Sequence, residues 1–212
     1  MIVRKDVLTD LKYGVLLDVV GEPYQYWMWF NKVLNKCRTF IDVGAYIGGY
    51  SVRACHRSVN VYAIEANPWN YELLTQNLKM NCRKQYNAYN VAAGSKKETK
   101  TLYYSSSQDR FLTSSLIEYK GAIVGEKVET VPLDYIIPSG VGRPVLMKID
   151  VEGFEIEVLK GAKRILRNTD FVIIEASREH KPTIISILRS LGFEMKDHYK
   201  AYTFWEKKYR NI

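Results

Sequence analysis

Short apolar runs alternate along the chain with stretches of helical periodicity. The runs have the length of strands and are almost continuous in apolar residues, which is typical of parallel strands covered on both faces. We predict the following strands: TFIDVG (39–44), NVYAIEA (60–66), YNAYNVAAG (86–94), PVLMKIDVEG (144–153) and DFVIIEAS (170–177). We predict helices over 49–57, 68–82, 153–167 and 181–191. Strand and helix therefore alternate over most of the chain.

Strands that alternate with helices form right-handed βαβ units, which predicts a Rossmann-like α/β domain with a doubly wound, mostly parallel sheet. The tail differs, because GFEMKDHYKAYTFWEKK (192–208) predicts two antiparallel strands joined by a turn around 198–200. We place the Rossmann-like domain at 37–212, with a polar insertion over 95–143. Residues 1–36 are helical in pattern, and we interpret them as an N-terminal extension that caps the substrate.

The composition fits one domain with a full core, since 47% of the 212 residues are apolar. No apolar run approaches the roughly 20 residues of a membrane span, and the start of the chain lacks the apolar region of a signal peptide. We therefore expect a cytoplasmic protein without a membrane span. The formal net charge of +8 is compatible with a nucleic-acid partner. The basic residues are dispersed, however, which favours a small-molecule or saccharide substrate; the oligomeric state is left open.

Cysteine and histidine give no sign of a metal site. Cys37, Cys55 and Cys82 are odd in number and show no CxxC spacing, so we predict buried free thiols in a reducing compartment rather than a disulfide or zinc ligands. The histidines are scattered and form no HxxxH pair. We therefore predict no metal ligands, and leave open only a metal shared by acidic residues at the strand ends, for which the sequence shows no dedicated spacing.

A glycine-rich loop follows the first predicted strand, where Asp42 is followed by Gly44, Gly48 and Gly49. In an open parallel sheet, ligands bind at the carboxyl ends of strands, and glycines let the backbone approach them. The loop departs from the dinucleotide fingerprint G-x-G-x-x-G because Tyr46 replaces the middle glycine. An acidic residue before the loop also repels phosphate. These features favour S-adenosylmethionine, which carries positive charge and hydroxyls but no phosphate.

A second acidic residue, Glu65, ends the next predicted strand. A carboxylate there can accept hydrogen bonds from both hydroxyls of a ribose. The alternative is that Asp42 and Glu65 only cap neighbouring helices. Their position at the ends of successive strands favours the binding interpretation.

Several segments carry a resemblance to a known family. They are FIDVGAYIGGYS, YAIEANPWNYELLTQNLKMN, NVAAG, and LMKIDVEGFEIEVLKGAKRIL followed by VIIEAS. Together they resemble the FkbM family of methyltransferases over about residues 38–177, in the family's order, and KIDVEG with EVLKGA is the most specific block. The resemblance implies a class I methyltransferase fold and an enzyme that uses S-adenosylmethionine. Tyr46 stands where the family typically has asparagine.

The resemblance also implies a set of cofactor-binding residues at the strand ends. Asp42, Gly44, Ala45 and Gly48 would line the methionine and ribose end, Glu65 would hold the ribose beside Ala66, and Asn90, Val91 and Ala92 would approach the adenine. To these we add Tyr46, in the same loop, and Asp150, whose strand ends next to the glycine loop and should bring its carboxylate near the methyl group. Residues 1–36 and 95–143 carry little resemblance, so the acceptor is not implied.

The strand that ends in KIDVEG is predicted beside the first strand, and Lys148, Asp150 and Glu152 should share one side because strand side chains alternate. A hydroxyl acceptor must lose a proton during methyl transfer. We assign the role of proton acceptor to Asp150 and a positioning role to Glu152. The structural alternative is that Asp150 caps the next helix while Glu152 pairs with Lys148. Glu175, at the end of the last predicted strand, is a candidate substrate ligand.

Methylation of exocyclic amines often uses an Asn/Asp-Pro-Pro-aromatic element after the fourth strand, whereas here that strand ends in Asp-Val-Glu-Gly. We therefore predict O-methylation of a hydroxyl on a saccharide or other small metabolite. An RNA methyltransferase and a non-catalytic cofactor-binding partner protein are the alternatives.

Segment 105–116 is interpreted as a lid whose Asp109 and Arg110 contact the substrate. The aromatic cluster YQYWMWF (24–30) is interpreted either as core packing or as a stacking platform.

Overall fold

The computed structural model describes residues 24–83, 86–104 and 114–208. Its helices are α1 Tyr24–Leu34, α2 Gly49–Cys55, α3 Pro68–Asn81, α4 Leu133–Ile136, α5 Glu155–Lys160, α6 Lys163–Asn168 and α7 Lys181–Ser190. Its strands are β1 Thr39–Val43, β2 Asn60–Ile64, β3 Tyr86–Tyr89, β4 Ala92–Ala93, β5 Glu98–Tyr104, β6 Ser114–Ser115, β7 Ile123–Val131, β8 Val145–Ile149, β9 Phe171–Glu175, β10 Phe193–Tyr199 and β11 Tyr202–Lys207. The first 23 residues of the predicted N-terminal extension lie outside the described residues.

The larger sheet formed by the described residues runs in the order β10–β11–β9–β8–β1–β2–β3. The strands from β9 to β3 are parallel, and the C-terminal hairpin β10–β11 joins β9 in antiparallel fashion. This confirms the predicted Rossmann-like sheet and the predicted hairpin. Asp42 in β1 is in register with Ala63 of β2 and Lys148 of β8. The carboxyl ends of these strands therefore meet at one edge, where ligands bind in open α/β sheets.

A smaller sheet, in the order β4–β7–β5–β6, occupies much of the segment 95–143, where we predicted no strands. The predicted strand 86–94 is in fact divided, because β3 pairs with β2 while β4 pairs in parallel with β7. An apolar run in a sequence does not show which strand each half of the run will pair with. In β5 only Leu102 and Tyr104 are buried, so its half-polar sequence gives a weak strand signal.

The predicted helix 153–167 is also divided, into α5 and α6, at Gly161. A Cβ on this residue would lie 1.9 Å from the backbone oxygen of Gly94, next to β4. The smaller sheet therefore rests directly on the joint between the two helices. Helical periodicity continues through 153–167, so only the glycine marks the break.

The helix α1 brings the aromatic cluster against the core. Tyr26 and Phe30 are fully buried, and the ring of Tyr26 packs edge-on to that of Tyr202, with 4.8 Å between centroids. For these two residues the core interpretation of the cluster is confirmed. Trp29 is half-buried and packs on Phe204.

In the described ranges, no helix combines the length and the apolar character that crossing a membrane requires.

The prediction of free thiols is wrong for two of the three cysteines. Cys55, at the end of α2, and Cys82, just after α3, form a disulfide with their Cα atoms 5.3 Å apart. Sequence spacing did not indicate this pairing, because the two helices are brought together by the fold. Cys37 is free and buried, as predicted, and burial raises the pKa of its thiol to about 12.

Removing this cross-link should destabilise the protein measurably. The double substitution Cys55→Ser and Cys82→Ser is expected to lower the free energy of unfolding by about 2–4 kcal/mol, because the 27-residue separation is no longer closed in the unfolded chain. Denaturant unfolding with and without reductant measures the effect. Reductant should weaken the wild type by a similar amount and leave the double variant unchanged. Equal stability of the two proteins without reductant would show that the thiols are not bridged.

Candidate active site

The glycine loop between β1 and α2 has an unusual backbone. Gly44, Tyr46 and Gly48 all adopt the left-handed region, with φ of 77°, 52° and 93°. The amides of Gly44 and Ala45 donate hydrogen bonds of 2.9 and 3.0 Å to the carbonyl of Ile64 at the end of β2. A Cβ on Gly44 would lie 1.7 Å from the backbone oxygen of Asp150. The first glycine is therefore required by the close approach of the strand end beside it.

Asp42 is fully buried beneath this loop. Its Oδ2 accepts a 2.6 Å hydrogen bond from the hydroxyl of Ser51, in the first turn of α2. The loop is also held from the other side, because the side-chain amide of Asn77 donates to the carbonyl of Ile47 at 2.8 Å. A buried carboxylate thus lies at the start of α2, where a phosphate-binding protein would leave room for an anion.

Glu65 connects the glycine loop to the end of β2. Its Oε2 accepts from the amide of Tyr46 and its Oε1 from the amide of Asn67, both at 2.8 Å. Burial raises the pKa of Glu65 to about 7, although the two amides oppose this shift. Asn67 caps α3 by accepting from the amide of Trp69, and Pro68 begins that helix as predicted.

The end of β3 joins the same cluster through Asn90. Its side-chain amide donates to the carbonyls of Glu65 and Ala66, at 2.9 and 3.2 Å. Val91 is half-buried and Ala92 is buried in the smaller sheet. The structure therefore brings the predicted residues at the ends of β1, β2 and β3 together along one edge.

The end of β8 carries an ion pair between a buried lysine and a partly buried aspartate. Lys148 Nζ lies 2.8 Å from Oδ2 of Asp150 and 4.9 Å from the centroid of the Tyr50 ring. Burial alone would lower the pKa of Lys148, but the negative charges of Asp150 and Asp42 outweigh it and raise that pKa. Lys148 in turn outweighs the burial of Asp150 and lowers its pKa. Both groups are therefore held in their charged forms.

Glu175, at the end of β9, lies next to Asp150, because the parallel register pairs Ile149 with Ile174. Its pKa is raised to about 8, first by burial and then by the negative charge of Asp150. The predicted substrate ligand and the predicted proton acceptor are thus direct neighbours.

Glu152 lies in a turn after β8 and has a left-handed backbone, with φ of 51°. Strand alternation ends at Ile149, so that argument does not extend to this residue. Desolvation and the charges of Asp150 and Glu155 raise the pKa of Glu152, although its side chain is exposed. The alternative with Asp150 as a helix cap finds no support, because Phe154 holds the cap position of α5 without a side-chain cap bond.

The sequence analysis did not identify a group of side chains that surrounds the turn containing Glu152. Glu155 is buried, accepts from the amide of Gly153 at 2.7 Å, and lies 3.3 Å from Nδ1 of His180. Ser115 of β6 donates from its hydroxyl to the carbonyl of Glu152 at 2.8 Å. The acidic spacing of EGFEIE was the available signal for Glu155. His180 and Ser115 are distant in sequence and gave none.

The smaller sheet thus reaches the end of β8, but the lid prediction is largely untested. Of segment 105–116, only 114–116 belongs to the described residues, and Asp109 and Arg110 lie outside them. Within the described ranges, no three or more His, Cys, Asp or Glu side chains are arranged to hold a metal ion.

Comparison with known protein families matches residues 42–195 to the methyltransferase FkbM domain. The chain belongs to the FkbM methyltransferase family. The matched range contains the glycine loop, Glu65, the Lys148–Asp150 pair and Glu175. The described residues that we predicted at the carboxyl ends of the strands, from Asp42 to Glu175, are therefore all part of the family domain.

Among characterised proteins, the chain is similar to the hexuronic acid methyltransferase AglP of Haloferax volcanii, with 29% identity over 150 residues. The match covers 70% of this chain and 60% of AglP, so the chain spans less than two thirds of that relative.

Among solved structures, the fold is similar to ribosomal protein L11 methylase of Lactobacillus delbrueckii, with a TM-score of 0.50 and 12% identity over 86% of this chain and 76% of that one. It is also similar to yhhF of Escherichia coli, with a TM-score of 0.51 and 10% identity over 87% and 83% of the two chains. These likenesses confirm the class I methyltransferase fold.

Proposed function

We propose that this FkbM-family protein transfers a methyl group from S-adenosylmethionine to a hydroxyl of a saccharide of the hexuronic acid class. The observation that carries the proposal is that two groups of residues lie at the same edge of the sheet. One is the glycine loop, which is held by Glu65, and the other consists of Lys148, Asp150 and Glu175. The similarity to a hexuronic acid methyltransferase supports the acceptor class.

The strand ends fit this cofactor better than a dinucleotide. Asp42 is buried at the start of α2, and its negative charge opposes a phosphate there. Glu65 already accepts hydrogen bonds from two amides. It can also accept hydrogen bonds from the ribose hydroxyls, because each carboxylate oxygen has a second lone pair. We assign Asp42, Gly44, Ala45, Tyr46 and Gly48 to the methionine and ribose end. When bound, the sulfonium supplies an electrophilic methyl group.

The adenine has a matching place at the end of β3. Asn90 is fixed by two backbone carbonyls, and Ala66 and Val91 are half-buried apolar neighbours. Adenine sites are mostly apolar slots with few polar contacts. The remaining work of the protein is to orient the acceptor and remove its proton, because methyl transfer is an in-line displacement.

The acceptor can be tested with methyl-labelled S-adenosylmethionine and p-nitrophenyl β-D-glucuronide. We expect labelled product whose methyl group resists mild alkali, because a methyl ether is stable where a methyl ester is hydrolysed. The matched acceptor with its carboxylate already esterified should still be labelled. An alkali-labile product, lost with the esterified acceptor, would place the transfer on the carboxylate. Labelling of RNA but not of the glucuronide would favour the RNA alternative.

A further inference from the structure

Two carboxyl groups face each other just beyond the paired residues of β8 and β9. The parallel register pairs Ile149 with Ile174, so the next step along both strands brings Asp150 opposite Glu175. The negative charge of Asp150 accordingly raises the pKa of Glu175, after burial. Two carboxyl groups at one site cannot both ionise without repulsion, so one of them is favoured to keep a proton. We infer that the pair shares a proton at the edge of the sheet where the candidate site lies.

Lys148 decides which of the two carboxyl groups carries that proton. Its ammonium is buried and lies 2.8 Å from Oδ2 of Asp150, so the charge of Asp150 is compensated within the protein. In the part of the chain that the structure describes, Glu175 forms no ion pair with a basic side chain, and burial and the neighbouring charge of Asp150 raise its pKa to about 8. Asp150 is therefore the ionised member and Glu175 the protonated one near neutral pH. A strongly compensated carboxylate such as Asp150 is a weak base.

We propose that Glu175, rather than Asp150, accepts the proton of the acceptor hydroxyl, with Lys148 and Asp150 as positioning residues. This inference rests on the proposed function and deepens it. The hydroxyl oxygen forms a bond to the methyl carbon, and the carbon–sulfur bond breaks with its electron pair left on sulfur. The proton of the hydroxyl passes to the carboxylate of Glu175. Glu175 then releases the proton to solvent, which it can reach because it is only half-buried.

The charged surroundings of Glu175 determine the pH dependence. Asp150 and Lys148 face it from β8, and Glu152 from the following turn. On the far side, β11 places Tyr202 opposite Glu175. The start of α7 carries Lys181, which donates to the carbonyl of Lys200, and the preceding His180 contacts Glu155.

Only ionised Glu175 can accept a proton, so turnover should rise about tenfold between pH 7 and pH 9 and then level off.

The decisive variant is Glu175→Gln, which keeps the shape and can still donate to Asp150. Turnover of p-nitrophenyl β-D-glucuronide should fall by at least about a hundredfold, the usual contribution of a general base. The rise around pH 8 should disappear, while affinity for S-adenosylhomocysteine stays within about threefold. Glu179→Gln is the matched control, because it makes the same substitution at an exposed residue nearby and should leave turnover unchanged.

The complementary variant, Asp150→Asn, separates the two carboxyl groups. It removes the negative charge beside Glu175, so the rise in turnover should move to lower pH, with activity well above that of Glu175→Gln. An inactive Asp150→Asn together with an active Glu175→Gln would overturn the proposal. Should the loss of a partner for Lys148 prevent folding, Glu175→Gln and the titration below decide the question.

A titration of the wild type distinguishes failure of this inference from failure of the proposed function. Protein labelled with ¹³C at glutamate carboxyl groups should show, by NMR, one group with a pKa near 8 that is absent from Glu175→Gln. A pKa of Glu175 near the ordinary glutamate value would overturn the shared proton. If that group titrates near 8 but no hydroxyl is methylated, the catalytic role and the proposed acceptor chemistry fail, and the proton-sharing pair stands.

Discussion

Gly44→Ala is expected to lower the free energy of unfolding by about 3–5 kcal/mol, because it combines overpacking with a strained backbone. The added methyl group would lie 1.7 Å from the backbone oxygen of Asp150, at a φ of +77°. Neither segment can retreat easily, since Gly44 donates to Ile64 and the amide of Asp150 donates to Val43. Denaturant unfolding measures the loss, and calorimetry with S-adenosylhomocysteine should show that binding is lost as well.

Gly192→Ala is the matched control for this experiment. Gly192 has a similar φ of +84°, but a Cβ there would meet nothing within 4 Å. Its substitution therefore isolates the backbone strain and should cost only about 1 kcal/mol. A similar loss for the two variants would show that the contact with Asp150 does not constrain the loop.

Glu65→Ala is expected to cost about 2–5 kcal/mol of unfolding free energy even without cofactor. The substitution leaves two amides, of Tyr46 and Asn67, without their carboxylate acceptor in a buried site. Glu129→Ala, which removes an exposed carboxylate, should change stability by less than about 1 kcal/mol. Unchanged stability of Glu65→Ala would mean that water replaces the carboxylate at no cost, and that Glu65 does not hold the loop.

The same residue should make cofactor affinity depend on pH. Burial raises the pKa of Glu65 to about 7, and ribose hydroxyls would donate to the ionised form. Affinity for S-adenosylhomocysteine should therefore rise as pH increases from 5.5 and level off above about 7.5. Calorimetry across this range measures the change, and Glu65→Gln should give a flatter and weaker profile. A falling affinity over the same range would contradict the ribose assignment.

The parallel core of the fold could be predicted because its strands are buried on both faces. Runs such as those at 39–44 and 170–177 are almost continuous in apolar residues, and the helices between the strands are periodic. The smaller sheet could not be predicted in this way, since β5 buries only Leu102 and Tyr104. Partner choice also escaped prediction, because nothing local tells Ala92 to pair with Thr130 of β7.

The candidate site was predictable in position but less so in its electrostatics. Acidic residues at strand ends can be recognised in a sequence, and the structure brings Asp42, Glu65 and Asp150 to one edge of the sheet. Their protonation states depend on which side chains lie next to them, and tertiary packing determines those neighbours. Lys148 could have paired with Glu152 or with Asp150, and only the turn after β8 separates these outcomes. The disulfide between Cys55 and Cys82 likewise depends on where two helices end.

The glycine contact between Gly161 and Gly94 has a consequence for how the family can diversify. The base of the smaller sheet is fixed to the joint of α5 and α6, and the amide of Asp134 also donates to the carbonyl of Gly161 at 3.1 Å. These contacts join Gly94, Asp134 and Gly161, and none of the three residues belongs to the part of the sequence between β5 and β6. Changes of sequence between β5 and β6 can therefore accumulate without disturbing the anchored base of the smaller sheet.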